Sequence, residues 1–293
     1  MGIIHCSKKI FISLLRYLNT KHAFNKLFYW IYEIRNDELK INRYMALEMP
    51  EGHLFGCYDY QTHGTFRNMV NGSFEENETK IIKTLVPHFE CFIDIGAHIG
   101  YYSCLIKQLN PKIAIIAFEP YSENIRSLEK NLKINNAKAI IHPVGLGIKK
   151  ENLILYGNDA SASIIEKVYR QIPKKKTSVD IDKLDNYSGE IPTGSSVFIK
   201  IDVEGNEFFI LKGSNQFIKN IRPIGFIIEI VKDWSGGENL HFFDTFIFMK
   251  KYRYDGYFIN NERSLEKIGD IERLTGGNYV FLRRDISDKL NNI

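Results

Sequence analysis

Hydrophobic positions along the chain follow two regimes. Across residues 8–36, Ile10, Leu14 and Leu18, then Phe24, Leu27, Ile31 and Ile34, recur at spacings near three and four. That is the period of amphipathic helices, with Asn19 and Thr20 as the break between two of them. Residues 45–75 lose the period and are rich in glycine, histidine and aromatics, which predicts a connector of short strands and turns. Helix returns at 77–89, where Ile81, Ile82, Leu85 and Val86 share a face and Pro87 ends the run.

From residue 91 short apolar runs alternate with longer amphipathic ones. Strands are predicted at 91–95, 113–118, 139–144, 195–205 and 222–230, and helices at 101–109 and 122–135. The second helix carries Ile125, Leu128 and Leu132 on one face, with Ser122 as candidate cap. FFDTFIFMKKY reads as a further helix, and RYDGYFI with NYVFLRR as a closing strand pair. Continuously apolar strands suit a mostly parallel sheet covered by helices on both faces, an α/β class. Residues 1–73 are expected to form a helical extension and connector, and residues 74–293 the main domain.

Composition narrows the picture only modestly. A chain of 293 residues with 44% hydrophobic and 25% charged residues buries a sizeable core without disulfides. The four cysteines have no close metal-site spacing, which favours a reducing compartment. Lys and Arg total 39 against 35 Asp and Glu, too small an excess to point to nucleic acid. No uninterrupted apolar run reaches the roughly 18 residues of a membrane span. A cytoplasmic protein is expected, with the basic amphipathic N-terminal helices packing on the domain, forming a homodimer or lying on a membrane surface.

The stretch FIDIGAHIGYYS, 92–103, reads as strand, turn and helix. Gly96 and Gly100 remove side chains where the chain bends and a ligand approaches the backbone, and Asp94 ends the strand as a hydrogen-bond acceptor. The spacing is G-x-x-x-G. It is neither the dinucleotide fingerprint G-x-G-x-x-G nor a phosphate-binding P-loop. In IIAFEP, Glu119 ends the next strand, where a carboxylate takes both hydroxyls of a ribose. A nicotinamide cofactor also offers ribose hydroxyls and stays a rival.

With these blocks, and with AFEP at 117–120, FIKIDVEGNEFFILKG at 198–213 and IIEI at 227–230, the chain resembles the FkbM-type methyltransferases over residues 74–283. The resemblance implies a class I, Rossmann-like fold with a seven-stranded, mostly parallel sheet, and S-adenosyl-L-methionine as cofactor. It further implies methylation of an oxygen on a sugar or sugar-bearing molecule. By resemblance Asp94 and Gly96 border the cofactor's amino-acid portion and Glu119 holds its ribose. His98 stands where the family commonly has asparagine. Gly100, Tyr102, Pro120 and His142 complete the expected cofactor set, His142 beside the adenine.

A sugar hydroxyl is a weak acid, so transfer to it asks for a base or a divalent ion. IKIDVEGNE supplies Asp202 and Glu204, which share a face on a regular strand, and Glu229 comes up on the neighbouring strand. Three converging carboxylates repel one another unless a proton or cation lies among them. Either Asp202, Glu204 and Glu229 hold magnesium or manganese, or one of them is general base and the others bind sugar hydroxyls. Glu207 is expected to cap or pair on the following helix. His241, at the start of the helix after the fifth strand, is a further catalytic candidate.

The leading expectation is an O-methyltransferase acting on a sugar hydroxyl of a nucleotide sugar, glycolipid or surface polysaccharide, as in polysaccharide biosynthesis. A nicotinamide-dependent oxidoreductase and a non-catalytic cofactor-binding domain are the alternatives. Scattered basic residues argue against a nucleic-acid substrate.

Overall fold

The computed structural model describes residues 45–49, 54–57, 74–157, 175–234, 237–238, 241–260 and 264–288. The chain divides into two compact units, Met1–Phe74 and Glu75–Ile293. In the first, β1 (Met45–Glu48) and β2 (Leu54–Cys57) form an antiparallel hairpin. The helices expected at 8–36, and any dimer or membrane contact through them, lie outside the described residues.

The second unit begins with α1 (Glu76–Leu85), which buries Ile81, Ile82 and Leu85 and passes into a 3₁₀ turn containing Pro87. Then β3 (Cys91–Ile95), α2 (Tyr101–Leu109), β4 (Ala114–Phe118), α3 (Ser122–Ile134) and β5 (Ile140–His142) alternate. β3 and β9 (Val197–Ile201) are buried at every position, as strands covered on both faces must be. α4 (Glu207–Lys212) and α5 (Asn215–Ile221) lead to β10 (Gly225–Ile230), and α6 (Phe242–Lys251) leads to β13 (Tyr254–Ile259). β14 (Leu265–Lys267), β15 (Gly277–Arg283) and α7 (Arg284–Ser287) finish the described chain.

The main sheet has eight strands in the order β14-β13-β15-β10-β9-β3-β4-β5. β10, β9, β3, β4 and β5 pair in parallel, whereas β15 runs antiparallel to both β10 and β13. The expected seven-stranded, mostly parallel sheet is thus corrected to a mixed sheet of eight. β14 is the extra edge strand, antiparallel to β13 and only three residues long, too short to register as a periodic run. A turn inside α3 also differs from expectation: Ser122 is the helix's first residue and Tyr121 its N-cap, with no side-chain cap bond.

A second sheet of three strands stands beside the first, formed by β6 (Gly145–Leu146), β7 (Glu151–Tyr156) and β8 (Lys176–Asp182) in the order β6-β8-β7. Its buried residues Leu155, Val179 and Ile181 pack with Tyr121. A two-stranded ribbon, β11 (Asp233–Trp234) with β12 (Gly237–Glu238), follows β10. Among the described residues no helix is long and apolar enough to cross a membrane.

Candidate active site

The site is built where the parallel strands end. β3 leaves the sheet at Ile95, whose carbonyl accepts from the Asp202 N–H at 3.0 Å, so the exits of β3 and β9 are tied together. Gly96 has φ 79°, and a Cβ there would lie 1.9 Å from the Asp202 carbonyl oxygen. Only glycine accommodates both the left-handed conformation and that approach. Gly100, φ 88°, serves a different contact: its missing Cβ leaves room for the Leu128 side chain and lets α2 pack on α3.

These exits open on a cleft whose empty space, counted out into the open solvent at its mouth, is about 650 Å³. Its apolar lining is Phe118, Val144, Leu146, Leu155 and Ile181, with the small second sheet supplying most of it. Its polar lining is His98, Glu119, Asn124, Asp202, Glu204 and Asn206, the last donating to the Leu146 carbonyl at 2.9 Å. Gly96 and Pro120 line it as well.

Glu119 is held by three donors. The His98 N–H donates to Oε2 at 2.8 Å, and Oε1 accepts from the Tyr121 N–H at 2.8 Å and the Asn124 amide at 3.3 Å. Burial nevertheless pushes its carboxyl up to about 7. Each carboxylate oxygen has two lone pairs; Oε1 already takes two donors, so the remaining acceptor site for a ligand hydroxyl is on Oε2. His98 itself takes φ 50°, and its buried Nε2 has no hydrogen-bond partner among the described residues. Burial holds its imidazole down at about 4, neutral at physiological pH.

The second group of charges centres on β9. Lys200 is buried on an otherwise apolar strand, and its ammonium lies 2.5 Å from Asp202 Oδ2. Burial opposes the charge, but Asp202, Glu75 and Asp94 together hold the lysine protonated, above its usual range. Burial is the largest influence and works to raise the Asp202 carboxyl, but Lys200, the hydrogen bond with Glu229 and His98 together outweigh it, leaving Asp202 below the usual carboxylate range. Glu229 is hydrogen-bonded to Asp202, and the Asp202 charge, aided by burial, drives its carboxyl far upward. Glu204 occupies the left-handed region at φ 56°, and burial with the Asp202 charge brings it to about 7.

Of the residues singled out in the sequence, Gly96, His98, Glu119, Pro120, Asp202 and Glu204 line the cleft. Asp94 does not: it is buried behind the turn, accepting from the Ser103 hydroxyl at 2.6 Å. Tyr102 points the same way, its hydroxyl donating to Glu75 Oε2 at 2.6 Å and its ring 4.8 Å beneath the Lys200 ammonium. His142 lies off the cleft, stacked on Phe118 and bonded to Glu190 at 2.8 Å. His241 is committed elsewhere, with Nδ1 2.9 Å from Asp244 and its ring stacked on Phe208.

Of the two alternatives for the carboxylates, the metal-holding one gains no support. Among the described residues no three His, Cys, Asp or Glu side chains are arranged to hold a metal ion. Asp202 and Glu229 are bonded to each other, and the cation beside them is Lys200. Lys200 went unnoticed in the sequence, although a lysine inside VFIKI, two residues before Asp202, is the visible signal. Asn124 and Asn206 gave none, since their role depends on the folded turns. Glu207 accepts from the Gly205 N–H at 2.7 Å, the local capping role expected of it.

The donors and acceptors present fit S-adenosylmethionine. Glu119 is a buried carboxylate at the cleft with an acceptor site left on Oε2, His98 lines the same cleft, and the apolar residues of the lining suit a purine.

Comparison with known proteins agrees. Methyltransferase 1 of Beauveria bassiana is 27% identical over 148 residues, covering 43% of this chain and 59% of that protein. The hexuronic acid methyltransferase AglP of Haloferax volcanii is 27% identical over 156 residues, covering 52% and 62%. The chain therefore spans about three fifths of the length of these curated relatives. Among solved structures, an O-methyltransferase from Bacillus cereus matches at TM-score 0.41 and 11% identity over 70% of this chain and 79% of that one, too loosely to carry an argument. The model of the methyltransferase FkbM domain matches residues 94–255, more than half of the chain, and the chain belongs to that family.

Proposed function

We propose that the protein is an S-adenosylmethionine-dependent O-methyltransferase acting on a sugar hydroxyl. The observation that carries this reading is the meeting, in one cleft, of a ribose-binding carboxylate, Glu119, with the acid pair Asp202 and Glu204. S-adenosylmethionine, when bound, supplies an electrophilic methyl on a sulfonium that departs as a neutral thioether. Glu119, the His98 imidazole and the apolar wall of Leu146, Leu155 and Ile181 would hold it.

The remaining chemistry belongs to the chain. A hydroxyl attacking the methyl forms an O–CH₃ bond as the S–CH₃ bond breaks, and its proton must leave. Glu204 is the best-matched general base, because a carboxyl near 7 is both substantially ionised and basic enough to take a proton at neutral pH. Asp202, kept ionised by Lys200, is a fixed hydrogen-bond acceptor for the incoming hydroxyl and a negative charge beside a cationic centre. A sugar as acceptor draws support from the relative in Haloferax volcanii, whose name gives a hexuronic acid as its substrate.

The test is incubation of the purified chain with methyl-labelled S-adenosylmethionine and a panel of nucleotide sugars and glycan extracts, read by mass spectrometry. A product heavier by one methyl, with the label on a sugar oxygen, is expected. Hydride transfer with a nicotinamide cofactor, or cofactor binding without transfer to any acceptor, would instead favour the oxidoreductase or the inert domain.

A further inference from the structure

One row of polar side chains crosses the rim of the sheet. Ile201 pairs with Ile228, so the next residues along β9 and β10, Asp202 and Glu229, are neighbours. Glu229 in turn stands directly opposite Asn278 across the antiparallel pair β10 and β15, which puts their side chains on one face. Lys200, two residues before Asp202, shares that face. The order is ammonium, carboxylate, carboxyl, amide.

This row solves a problem of charge. Two carboxyl groups that are hydrogen-bond partners must share a proton, because two adjacent carboxylates repel strongly in a buried site. Lys200 supplies the opposite charge from within the strand, and its position is fixed from several sides. Its ammonium bonds to Asp202 at 2.5 Å and rests 4.8 Å over the Tyr102 ring. The Tyr102 hydroxyl donates to Glu75, whose charge also favours the ammonium. Only 4% of the lysine side chain is exposed, against 24% of the Asp202 side chain, so the ammonium is hardly screened by solvent while Asp202 still reaches the cleft. At the far end of the row the buried Asn278 Oδ1 has no hydrogen-bond partner among the described residues. A buried acceptor left in this way is destabilising, and a hydroxyl donor on a ligand would relieve it.

We propose that Lys200 is the positioning residue of the transfer site: its ammonium occupies the place that a divalent cation would otherwise take among the carboxylates, holds Asp202 ionised and fixed, and leaves the shared proton on Glu229. Glu229 is then a hydrogen-bond donor and neither a base nor a metal ligand. The inference rests on the methyltransferase reading for what Asp202 faces, but the charge pattern is a property of the protein alone. The other groups facing Asp202 are Asp94 from β3, His98 from the turn after it, and Glu204 from its own loop. Glu75 before α1 and Glu78 within it act through the Tyr102 side of the cluster.

The experiment has two arms. Carboxyl-carbon NMR on the full chain, with Asp202→Asn and Glu229→Gln assigning the two signals, should show Asp202 ionised down to about pH 4 and Glu229 protonated through about pH 8. This arm needs no change at Lys200. In Lys200→Met the Asp202 midpoint should rise by about one to three pH units. Calorimetric binding of S-adenosylhomocysteine should then lose about tenfold per pH unit below that midpoint, an inflection absent from wild type and from Lys200→Met/Asp202→Asn. A purely structural lysine would leave that profile unchanged. Glu229 ionised at neutral pH in wild type, or a folded Lys200→Met with an unmoved Asp202 midpoint, overturns the inference. A folded wild type that binds no S-adenosylhomocysteine contradicts the methyltransferase reading instead, and the NMR arm still decides the charge pattern.

Discussion

The backbone N–H of His98 donates to Glu119 Oε2 at 2.8 Å, joining the turn after β3 to the end of β4. The carboxylate proposed to bind the ribose and the glycine turn are therefore one unit. Removing the side chain should be felt in cofactor affinity before stability. A hydrogen bond to a charged group is worth about 1.5–3 kcal/mol, so Glu119→Ala should weaken S-adenosylhomocysteine binding roughly 10- to 100-fold. Calorimetry reads this directly, and unchanged affinity removes the ribose assignment.

Binding through Glu119 should also depend on pH. Its carboxyl lies at about 7, and the ionised form is the one that can accept a hydroxyl hydrogen on the site left free at Oε2. Affinity should fall as pH drops through 7 and level off above it. Glu119→Gln, which cannot ionise, should bind more weakly and show no such step.

Glu204 pairs its proposed chemical role with backbone strain. A side chain at φ 56° costs of order 1–3 kcal/mol, which glycine would relieve. Glu204→Gly should melt no lower than wild type, yet transfer should slow by about 10²- to 10⁴-fold, the span of a lost general base. A melting temperature well below wild type, or undiminished turnover, contradicts the role given to this residue.

Much of this was legible from the sequence, and what was missed has a common cause. β3 and α2 fall on their predicted residues because a run such as CFIDI, buried on both sides, announces itself locally. Asp202 and Glu229 were placed together because parallel strands end at one rim. The neutralising partner was not, since Lys200 is legible only once Tyr102, Glu75 and Asp94 are brought around it by elements distant in sequence. His142 misled for the converse reason: its strand ends at the rim, but its ring turns into a stack with Phe118 and Tyr187. β6, β7 and β8 escaped full description because their pairing jumps from Gly145 and Glu151 to Ile181.

Gly96 sets the geometry for all of these. Gly96→Ala would bring a methyl to 1.9 Å from the Asp202 carbonyl, and the atom met is backbone, which cannot swing away. The exits of β3 and β9 would have to separate. A lower melting temperature together with loss of S-adenosylhomocysteine binding is expected. A variant with wild-type melting and affinity would refute the claim that this contact shapes the cleft.

Glu207 offers a test by linkage. Burial raises it to about 8 in the folded protein, from an ordinary value of 4.5. The unfolded chain releases this proton near 4.5 while the native state keeps it, so native stability contributed here is full below 4.5 and is lost as pH rises toward 8. Glu207→Gln keeps an acceptor for the Gly205 N–H and removes the titration. Its melting temperature relative to wild type should climb across that window; a constant difference would contradict the assigned burial.

The most direct test of the central claim is a crystal structure of the chain with S-adenosylhomocysteine bound. The account predicts ribose hydroxyls on the Glu119 carboxylate, the adenine against Leu146, Leu155 and Ile181, and the sulfur turned toward Asp202 and Glu204. Density for the ligand at any other place, or in this cleft with Glu119 making no contact to it, would contradict the account.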